Sequence, residues 1–308
     1  MKKSKHEQHN PKFTPQLTIG QFERMFPDED SCRAYLANRR WPNGAVCPRC
    51  GKQDHVYSIA KPWHWECANP ECRKGNAYRF SLTVKTIFEN TKYPLRVWFQ
   101  VLHLMLTSKK GISALQIQRM IGSGSYSTAF YMCHRLRASM NDPEFRQLMG
   151  IVEVDETYIG GKDKNRHWDK KQSGRGTIGK IPVVGAISRK GNVVCKMIEH
   201  ADTETLTRFV RNTVSEKVDL VATDEHSGYR YLGWVMPHES VSHSTGQYVR
   251  GRVHTQNIES FWSLLKRGVI GTYHNVSKKY LPLYLAEFSF RFNNRNNPDI
   301  FGSAIAGC

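Results

Sequence analysis

The stretch that decides the fold of this chain is IVEVDETYI, residues 151–159. Its valines and acids alternate, which predicts a β-strand because successive side chains of a strand point to opposite faces. The valines would share one face, and Glu153 and Asp155 the other. Asp155 would lie at the end of the strand, as a candidate active-site carboxylate. We interpret Glu153 and its neighbour Glu156 as acids on a solvated face, with a supporting place beside Asp155 as the alternative.

Strands and helices follow this stretch in turn. Apolar, β-branched runs predict strands, and apolar residues at helical spacing predict helices. The predicted strands are 181–188, 192–198 and 220–223, and the predicted helices lie near 203–215, 255–267 and 278–292. Three strands, a helix, a further strand and more helices make a mixed α/β domain, which we place at residues 148–296.

Two further acids occupy positions comparable to that of Asp155. The strand at 220–223 ends at Asp224, and Glu259 lies in a helix-like stretch, with 34 residues between the two acids. Such carboxylates can converge on a pair of hard divalent cations, because Mg²⁺ and Mn²⁺ prefer oxygen ligands. We expect Asp155 and Asp224 to bind both ions and Glu259 to complete the second site, an arrangement suited to phosphoryl transfer. His226 either orients a phosphate or metal-bound water, or is a surface histidine.

The N-terminal part holds a cluster of cysteines. Cys47, Cys50, Cys67 and Cys72 fall within 26 residues, and the first pair lies in CPRCG. Two thiolate-bearing turns of this kind form a closed tetrahedral site, so we predict a zinc ribbon with a structural Zn²⁺. His55 and His64 are the alternative ligands. The other four cysteines are isolated, and we interpret them as plain thiols: Cys32, Cys133, Cys195 and Cys308.

A helical region follows the cysteine cluster. Apolar spacing and two glycine breaks predict helices near 94–108, 112–121 and 125–140. Three short helices with tight turns fit a helix-turn-helix, whose last helix would offer Arg135 and Arg137 to DNA. An ordinary helical linker is the alternative. The predicted organisation is thus a flexible basic tail (1–20), a zinc-ribbon module (21–82), a helix-turn-helix region (90–143) and the α/β domain, all within 308 residues.

The charge of the chain indicates a polyanionic partner. Its 45 Lys and Arg against 27 Asp and Glu leave a formal charge of +18, which favours nucleic acid through counterion release. An anionic membrane surface is the rival, but the sequence shows no basic amphipathic helix, lipidation motif or long apolar run. We therefore predict a cytoplasmic protein that binds no membrane. A basic loop at 162–180, with Lys170, Lys171 and Arg175, would hold DNA backbone, or is simply a solvated loop.

Several motifs together resemble a known family. They include CPRCG (47–51), GISALQIQ (111–118), VDETYIGGK (154–162), GRGTIGK (174–180), TDEH (223–226), HTQNIESFWSLLKRG (254–268) and YHNVS (273–277). They resemble the DDE transposases of prokaryotic insertion sequences whose catalytic domain is ISXO2-like, and the resemblance covers residues from about 20 to 295. The sequence departs from that pattern at Gln256, where asparagine is expected, and at Phe130, where tryptophan is common.

The resemblance implies a ribonuclease H-like fold for the catalytic domain, with Asp155, Asp224 and Glu259 as its acidic triad. It also implies the reaction: hydrolysis at each end of the element, followed by attack of the freed 3′-hydroxyls on target DNA. The implied partner is double-stranded DNA, both the terminal inverted repeats and the target. Synapsis of two ends implies at least a homodimer, associated with the nucleoid. Lys266 and Arg267 would contact DNA near the ions.

Some relatives use asparagine as the third ligand, which makes Asn257 a competitor of Glu259. Residues two apart on a helix point about 200° away from each other, so only one can face the aspartates. Lys266 favours Glu259, because seven residues are close to two turns and place both on one face. Asn257 would then point away or cap the helix start. The buried side of the helix would consist of Ile258, Phe261, Leu264 and Leu265.

Two other function classes remain open at this stage. The first is a DNA-binding regulator built from the zinc ribbon and the helix-turn-helix, against which the intact acidic triad argues. The second is a structure-selective nuclease or resolvase of the same fold, which would cut branched DNA without joining ends.

Overall fold

The computed structural model of the chain describes residues 17–72, 76–140, 146–161, 179–242, 245 and 249–308. Two compact units emerge. The first unit comprises Met1–Lys109, Ala114–Met140 and Asn294–Cys308, and the second comprises Lys110–Ser113 and Asn141–Asn293. Most of the predicted basic tail and of the basic loop at 162–180, including Lys170, Lys171 and Arg175, lies outside the described residues.

The described part of the first unit is mainly helical. Its helices are α1 (Ile19–Met25), α2 (Glu29–Arg40), α3 (Leu95–Thr107), α4 (Ala114–Ile121), α5 (Tyr126–Ser139) and α9 (Ile300–Ala306). The side chains of Thr18 and Asp28 begin α1 and α2 by accepting backbone N–H groups three residues on, which satisfies amides that a helix start leaves free. Helices α3, α4 and α5 pack against one another, as the prediction of three short helices requires.

An aromatic cluster binds the helices of the first unit together. The ring centroid of Phe26 lies 5.1 Å from that of Phe99 and 5.5 Å from that of Phe301, and Phe99 lies 5.5 Å from Phe301. Phe301 belongs to α9, so the C-terminal end of the chain completes this core. α9 was not predicted, because seven residues are too few to show a helical period.

The cysteine-rich part of the first unit forms a small antiparallel sheet. Its strands are β1 (Val56–Ser58), β2 (His64–Cys67) and β3 (Tyr78–Ser81), in the order β1-β2-β3. Trp65 lies 5.1 Å from Trp41 and 6.0 Å from Phe80, measured between ring centroids. These aromatic rings and the cysteines form one cluster. Strands of three or four residues bury too little surface to fold alone, so the small sheet depends on this cluster.

The second unit is built on a five-stranded sheet of order β6-β5-β4-β7-β8. Its strands are β4 (Ile151–Ile159), β5 (Ile181–Ser188), β6 (Val193–Met197), β7 (Leu220–Thr223) and β8 (His238–Ser240). β4, β5 and β6 are antiparallel neighbours, whereas β7 pairs parallel to β4 and β8 parallel to β7. This confirms the predicted mixed α/β architecture. β8, only three residues long, was not predicted.

Helices cover both faces of this sheet. α6 (Thr203–Thr213) packs on the face that bears Val152 and Val154, and α7 (Gln256–Gly268) and α8 (Leu281–Asn293) pack on the other. The alternation predicted for β4 is therefore correct. Both faces are buried, however, and the face of Glu153 and Asp155 lies under α7. Gly185 allows the close approach of this helix, since a Cβ there would lie 2.6 Å from a ring carbon of Trp262.

The segment Lys110–Ser113 belongs to the second unit although its neighbours in sequence belong to the first. Gly111 has a φ of +83°, and a Cβ on it would lie 1.9 Å from the hydroxyl of Tyr273. A Cβ on Gly268 would lie 2.8 Å from the carbonyl oxygen of Lys110. Two glycines thus let this segment pack closely against the end of α7 and the π-helical turn Val269–Tyr273.

Among the described residues, no helix is long and apolar enough to cross a membrane.

Candidate functional site

Three carboxylates meet where β7 ends beside β4. Asp155 lies in the middle of β4, which corrects the prediction that it ends the strand. β4 and β7 run parallel with Glu153 opposite Ala222, so Asp224, just past the end of β7, comes level with Asp155. Asp155, Glu156 and Asp224 each offer an oxygen, and these oxygens lie within 4.8 Å of one another. Such spacing suits a shared divalent cation, whose charge would offset the repulsion among the acids.

The electrostatic cost of this cluster appears in the pKa values of its acids. Burial, together with repulsion from Glu156 and Asp224, raises the pKa of Asp155 to about 8. Burial likewise raises the pKa of Glu156, although a hydrogen bond from the Tyr229 hydroxyl opposes the rise. Clustered acids with raised pKa values are typical of metal and catalytic sites.

Glu156 is a member of the cluster, which corrects our interpretation of it as an acid on a solvated face. Its side chain is only 7% exposed. One of its oxygens accepts a hydrogen bond of 2.7 Å from the Tyr229 hydroxyl, and the other lies 3.6 Å from Nε2 of His226. Because Asp224 lies just beyond the end of β7, side chains from both faces of β4 can reach it. His226 also donates its backbone N–H to Asp224.

Glu259 lies in the same cleft on helix α7. The cleft has a volume of about 730 Å³ and is lined by Asp155, Glu156, Glu259 and Trp262, among others. Trp262 donates its indole N–H to Asp155 over 3.1 Å, and Thr255 donates its hydroxyl to Glu259 over 2.6 Å. The structure therefore brings Asp155 and Glu259 to one cleft and places Asp224 beside Asp155, with Glu259 outside the tight group of three carboxylates.

Glu153 is fully buried, so our interpretation of it as a solvated acid is also wrong. It accepts the side-chain N–H of Asn257 over 2.7 Å and the backbone N–H groups of Asn257 and Ile258 over 2.8 and 3.2 Å. It thus caps α7, the role that we had considered for Asn257. The side chain of Asn257 is bound to Glu153, and the choice of Glu259 as third ligand stays a prediction. No sequence signal could identify Glu153 as a cap, because the partner helix lies about 100 residues away.

The buried side of α7 agrees with the prediction. Ile258, Phe261 and Leu265 are buried, and Leu264 is half-buried against the same core.

The four predicted zinc ligands come together in the first unit. The sulfurs of Cys47 and Cys72 are 3.8 Å apart, as are those of Cys50 and Cys67. A tetrahedral site with Zn–S bonds of about 2.3 Å places its sulfurs about 3.8 Å apart. A backbone hydrogen bond from Lys52 lowers the pKa of Cys50 to about 7, whereas burial raises the pKa values of Cys67 and Cys72, a cost to the thiolates that a bound cation would offset. The cysteines fill all four positions of the cluster, and neither His55 nor His64 takes part.

The residues predicted to bind DNA have different surroundings. Lys266 and Arg267 are exposed and line the acidic cleft, and Lys110, which the sequence analysis missed, lines it too. Arg135 is half-buried and donates to the hydroxyl of Tyr131 on the same helix. Arg137 is only 2% exposed, so its guanidinium lies in the core of the first unit and does not face DNA. That assignment was wrong because the arginine lies on the inner face of α5.

Comparisons with known proteins support this picture. Residues 147–293 match the family described as ISXO2-like transposase domain, and residues 27–75 match the transposase zinc-ribbon domain. The chain is 28% identical over 279 residues to an uncharacterized protein in transposable element ISH50 of Halobacterium salinarum, with 87% of this chain and 92% of that protein covered.

A solved structure that resembles the chain is the cryo-electron-microscopy structure of the simian T-cell lymphotropic virus intasome in complex with PP2A regulatory subunit B56 gamma. Its TM-score is 0.29 at 11% identity, with 56% of this chain and 63% of that chain covered. One family assignment agrees with the family matches, with the five-stranded sheet and with the two clusters of candidate metal ligands. The chain belongs to the DDE transposases of insertion sequences that carry a transposase zinc ribbon ahead of an ISXO2-like catalytic domain of ribonuclease H-like fold.

Proposed function

We propose that this transposase binds the terminal inverted repeats of its element, cleaves the DNA at both ends and joins the freed 3′-hydroxyls to target DNA. The proposal rests on one observation above all. Asp155, Glu156 and Asp224 hold oxygens within 4.8 Å of one another, beside a cleft lined by Glu259 and by basic side chains. An acidic centre with cations around it suits a phosphodiester, whose backbone needs counter-charge while its phosphorus is attacked.

The donor set fits Mg²⁺ or Mn²⁺. All of its members are carboxylates, which these hard cations prefer, and a metal would offset the repulsion that raises the pKa of Asp155. Asp155 and Asp224 would hold both ions, and Glu259 would complete the second metal site. Glu156 would be a further oxygen donor. Two bound ions would activate the attacking oxygen and stabilise the leaving oxygen.

The chemistry consists of two displacements at phosphorus. In the first, a water oxygen forms a bond to phosphorus while the bond to the 3′ oxygen breaks. The 3′ oxygen takes up a proton, and a 5′-phosphate remains on the flanking strand. In the second, the 3′-hydroxyl loses its proton and attacks a phosphorus of the target, whose own 3′ oxygen leaves and is protonated. Neither step requires a covalent bond between protein and DNA.

The cleft also offers a place for the DNA strand. Lys110, Lys266 and Arg267 line it together with the acids. Lys266 and Arg267 extend from the last turn of α7, two turns beyond Glu259. Lys110 reaches the cleft because Gly111 and Gly268 let its segment approach α7 closely. We propose that these cations bind phosphates on either side of the scissile bond.

Recognition of the repeats falls to the first unit in this proposal. α5 exposes Tyr126 and Tyr131 and carries the half-buried Arg135, and the turn before it contains Gly122 with a φ of +64°. This fits a recognition helix in the region 90–143. The zinc-ribbon module at 21–82 would add contacts beyond it. Pairing of two ends by the catalytic domain at 148–296 suggests a dimer or a larger assembly on DNA in the nucleoid.

A cleavage and strand-transfer assay tests the proposal. The substrate is a duplex that carries the terminal repeat of the element, incubated with target plasmid and Mn²⁺ or Mg²⁺. We expect cut ends and joined products from the wild type and none from Asp155→Ala or Asp224→Ala. Both variants should shift the duplex in a gel nearly as well as the wild type, because metal-site carboxylates contribute little to holding the remaining DNA.

Other outcomes would give the protein another function. Cutting of branched DNA without joined products would indicate a structure-selective nuclease or resolvase. A specific gel shift with no cleavage in either metal would indicate a regulator. Robust cleavage by either variant would remove that aspartate from the active site.

A further inference from the structure

We propose that Glu153 is a positioning residue, which docks the first turn of α7 onto β4 and thereby places Glu259 relative to Asp155. This inference rests on the proposed function, because it concerns the metal site of that reaction. Glu153 is 0% exposed and accepts three hydrogen bonds from Asn257 and Ile258. All three bonds join one strand to one helix.

The start of α7 depends on Glu153 because its own cap residue is occupied elsewhere. Thr255 is at the N-cap position and makes no side-chain bond to the helix backbone. Its hydroxyl donates to Glu259 instead, over 2.6 Å. The first-turn N–H groups of Asn257 and Ile258 would therefore lack an acceptor without Glu153. A carboxylate also suits this place because the N-terminus of a helix carries partial positive charge.

The buried charge of Glu153 is compensated by Arg189, whose Nε donates to it over 2.9 Å. Nδ1 of His254 lies 3.2 Å from the same oxygen without a hydrogen bond. Arg189 also contacts the carbonyl oxygen of His254 over 3.4 Å. The segment that leads into α7 is thus held at the same point, and a carboxylate with this many partners is fixed in one orientation.

The position of these contacts connects Glu153 to the ions. Glu153 lies two residues before Asp155 on the same face of β4, and Asn257 lies two residues before Glu259 on α7. The bond between Glu153 and Asn257 therefore ties strand to helix immediately beside the place where both elements present their metal ligands. A shift of the helix start would move Glu259 and leave Asp155 and Asp224 in place.

The variant Glu153→Gln tests this role without a change of size. A glutamine oxygen can still accept the backbone N–H groups, but its amide NH₂ would then face the donors of Asn257 and Arg189. The wild type, Glu153→Gln and the control Glu239→Gln are each titrated with Mn²⁺, and free Mn²⁺ is measured by electron paramagnetic resonance. Glu239 is an exposed acid on β8. We expect the half-saturating Mn²⁺ concentration of Glu153→Gln to rise about tenfold, as for other residues that orient metal ligands. The control should match the wild type.

A cleavage assay at saturating Mn²⁺ supplies the second readout. Excess metal should restore much of the activity of Glu153→Gln, because all ligands are still present, but none of the activity of Glu259→Gln. A residue that only held the fold together would lower the melting temperature without shifting the Mn²⁺ dependence of folded protein. If Glu153→Gln does not fold, Asn257→Ala removes a single bond of the group and should shift the Mn²⁺ dependence in the same direction by a smaller factor.

The outcomes separate this inference from the proposed function. If folded Glu153→Gln, or Asn257→Ala in its place, binds Mn²⁺ as tightly as the wild type, Glu153 is not a positioning residue. If the wild type binds no Mn²⁺, or if Asp155→Asn binds Mn²⁺ as the wild type does, the metal site and the proposed function fail. The inference then fails with them.

Discussion

Asp155 is the residue at which the cluster of acids is most costly to the metal-free protein. Its pKa is raised to about 8 by burial and by the neighbouring acids. The pKa of an unfolded aspartate is about 3.9, so the folded protein binds this proton more tightly. The free energy of unfolding is therefore largest at low pH, with respect to this group, and falls as the pH rises from about 4 to about 8.

We therefore predict that Asp155→Asn stabilises the metal-free protein at pH 8. The amide has the same shape, accepts the bond from Trp262 and carries no charge. In thermal denaturation with chelator, the melting temperature should rise by roughly 3 °C for each kcal/mol of repulsion removed. Added Mn²⁺ should raise the melting temperature of the wild type and leave that of the variant unchanged.

The control for Asp155→Asn is Asp202→Asn at the start of α6. A backbone hydrogen bond from Thr205 lowers the pKa of Asp202, so loss of its charge should give no stabilisation at pH 8. A lower melting temperature for metal-free Asp155→Asn than for the wild type would show that the acids do not repel one another.

Glu259 and Asn257 lie two residues apart and should respond differently to substitution. Glu259→Gln keeps the size and removes the charge in the cleft, so we expect it to abolish metal-dependent cleavage. Asn257→Ala removes one hydrogen bond to buried Glu153, which should lower the free energy of unfolding by about 1–2 kcal/mol and leave measurable cleavage. Both are checked by a cleavage assay and by denaturant unfolding. An active Glu259→Gln with an inactive Asn257→Ala would make Asn257 the third ligand.

The zinc ribbon is an element whose folding should depend on its metal. Its three strands have only three or four residues each, and its four cysteines form the centre of its small core. We predict about one zinc per chain, and loss of that zinc in Cys50→Ser. The ribbon should then unfold, DNA binding should weaken, and the five-stranded unit should keep its fold.

Metal analysis of purified protein and tryptophan fluorescence check this, since Trp41 and Trp65 report on the ribbon. Cys195→Ser is the matched control, because Cys195 lies in β6 and is bonded to Ser289 rather than to other thiols. Folded, soluble protein without zinc would contradict the assignment.

At the scale of the whole molecule, the net charge of +18 should govern DNA affinity. Each phosphate contact releases condensed counterions, so the logarithm of the binding constant should fall linearly with the logarithm of salt concentration. Lys266→Ala should weaken binding to all sequences about equally and lower this slope by about one. Lys196→Ala, an exposed lysine on β6 outside the cleft, should leave the slope unchanged. Fluorescence anisotropy over a range of KCl concentrations measures both, and identical slopes for the two variants would exclude Lys266 from the DNA contact.

The sequence by itself determined the features that depend on near neighbours in the chain. The alternation of valine and acid defined β4 and its two faces, and the spacing of cysteines indicated the zinc ligands. Helices α3 to α8 and strands β4 to β7 agreed with prediction within a few residues, because apolar periodicity is a local property. Asp224 could likewise be identified from its place after β7, whereas Asp155 lies in the middle of β4 and not at its end as predicted.

Only the tertiary structure decided what covers each face. Glu153 and Arg137 are charged residues of the kind usually found at the surface, yet both are buried. α7 covers Glu153, and the helical core of the first unit surrounds Arg137. Glu156 and Lys110 join the acidic cleft beside residues far away in sequence. A charged side chain can be buried only where distant partners compensate it, and local sequence carries no record of those partners.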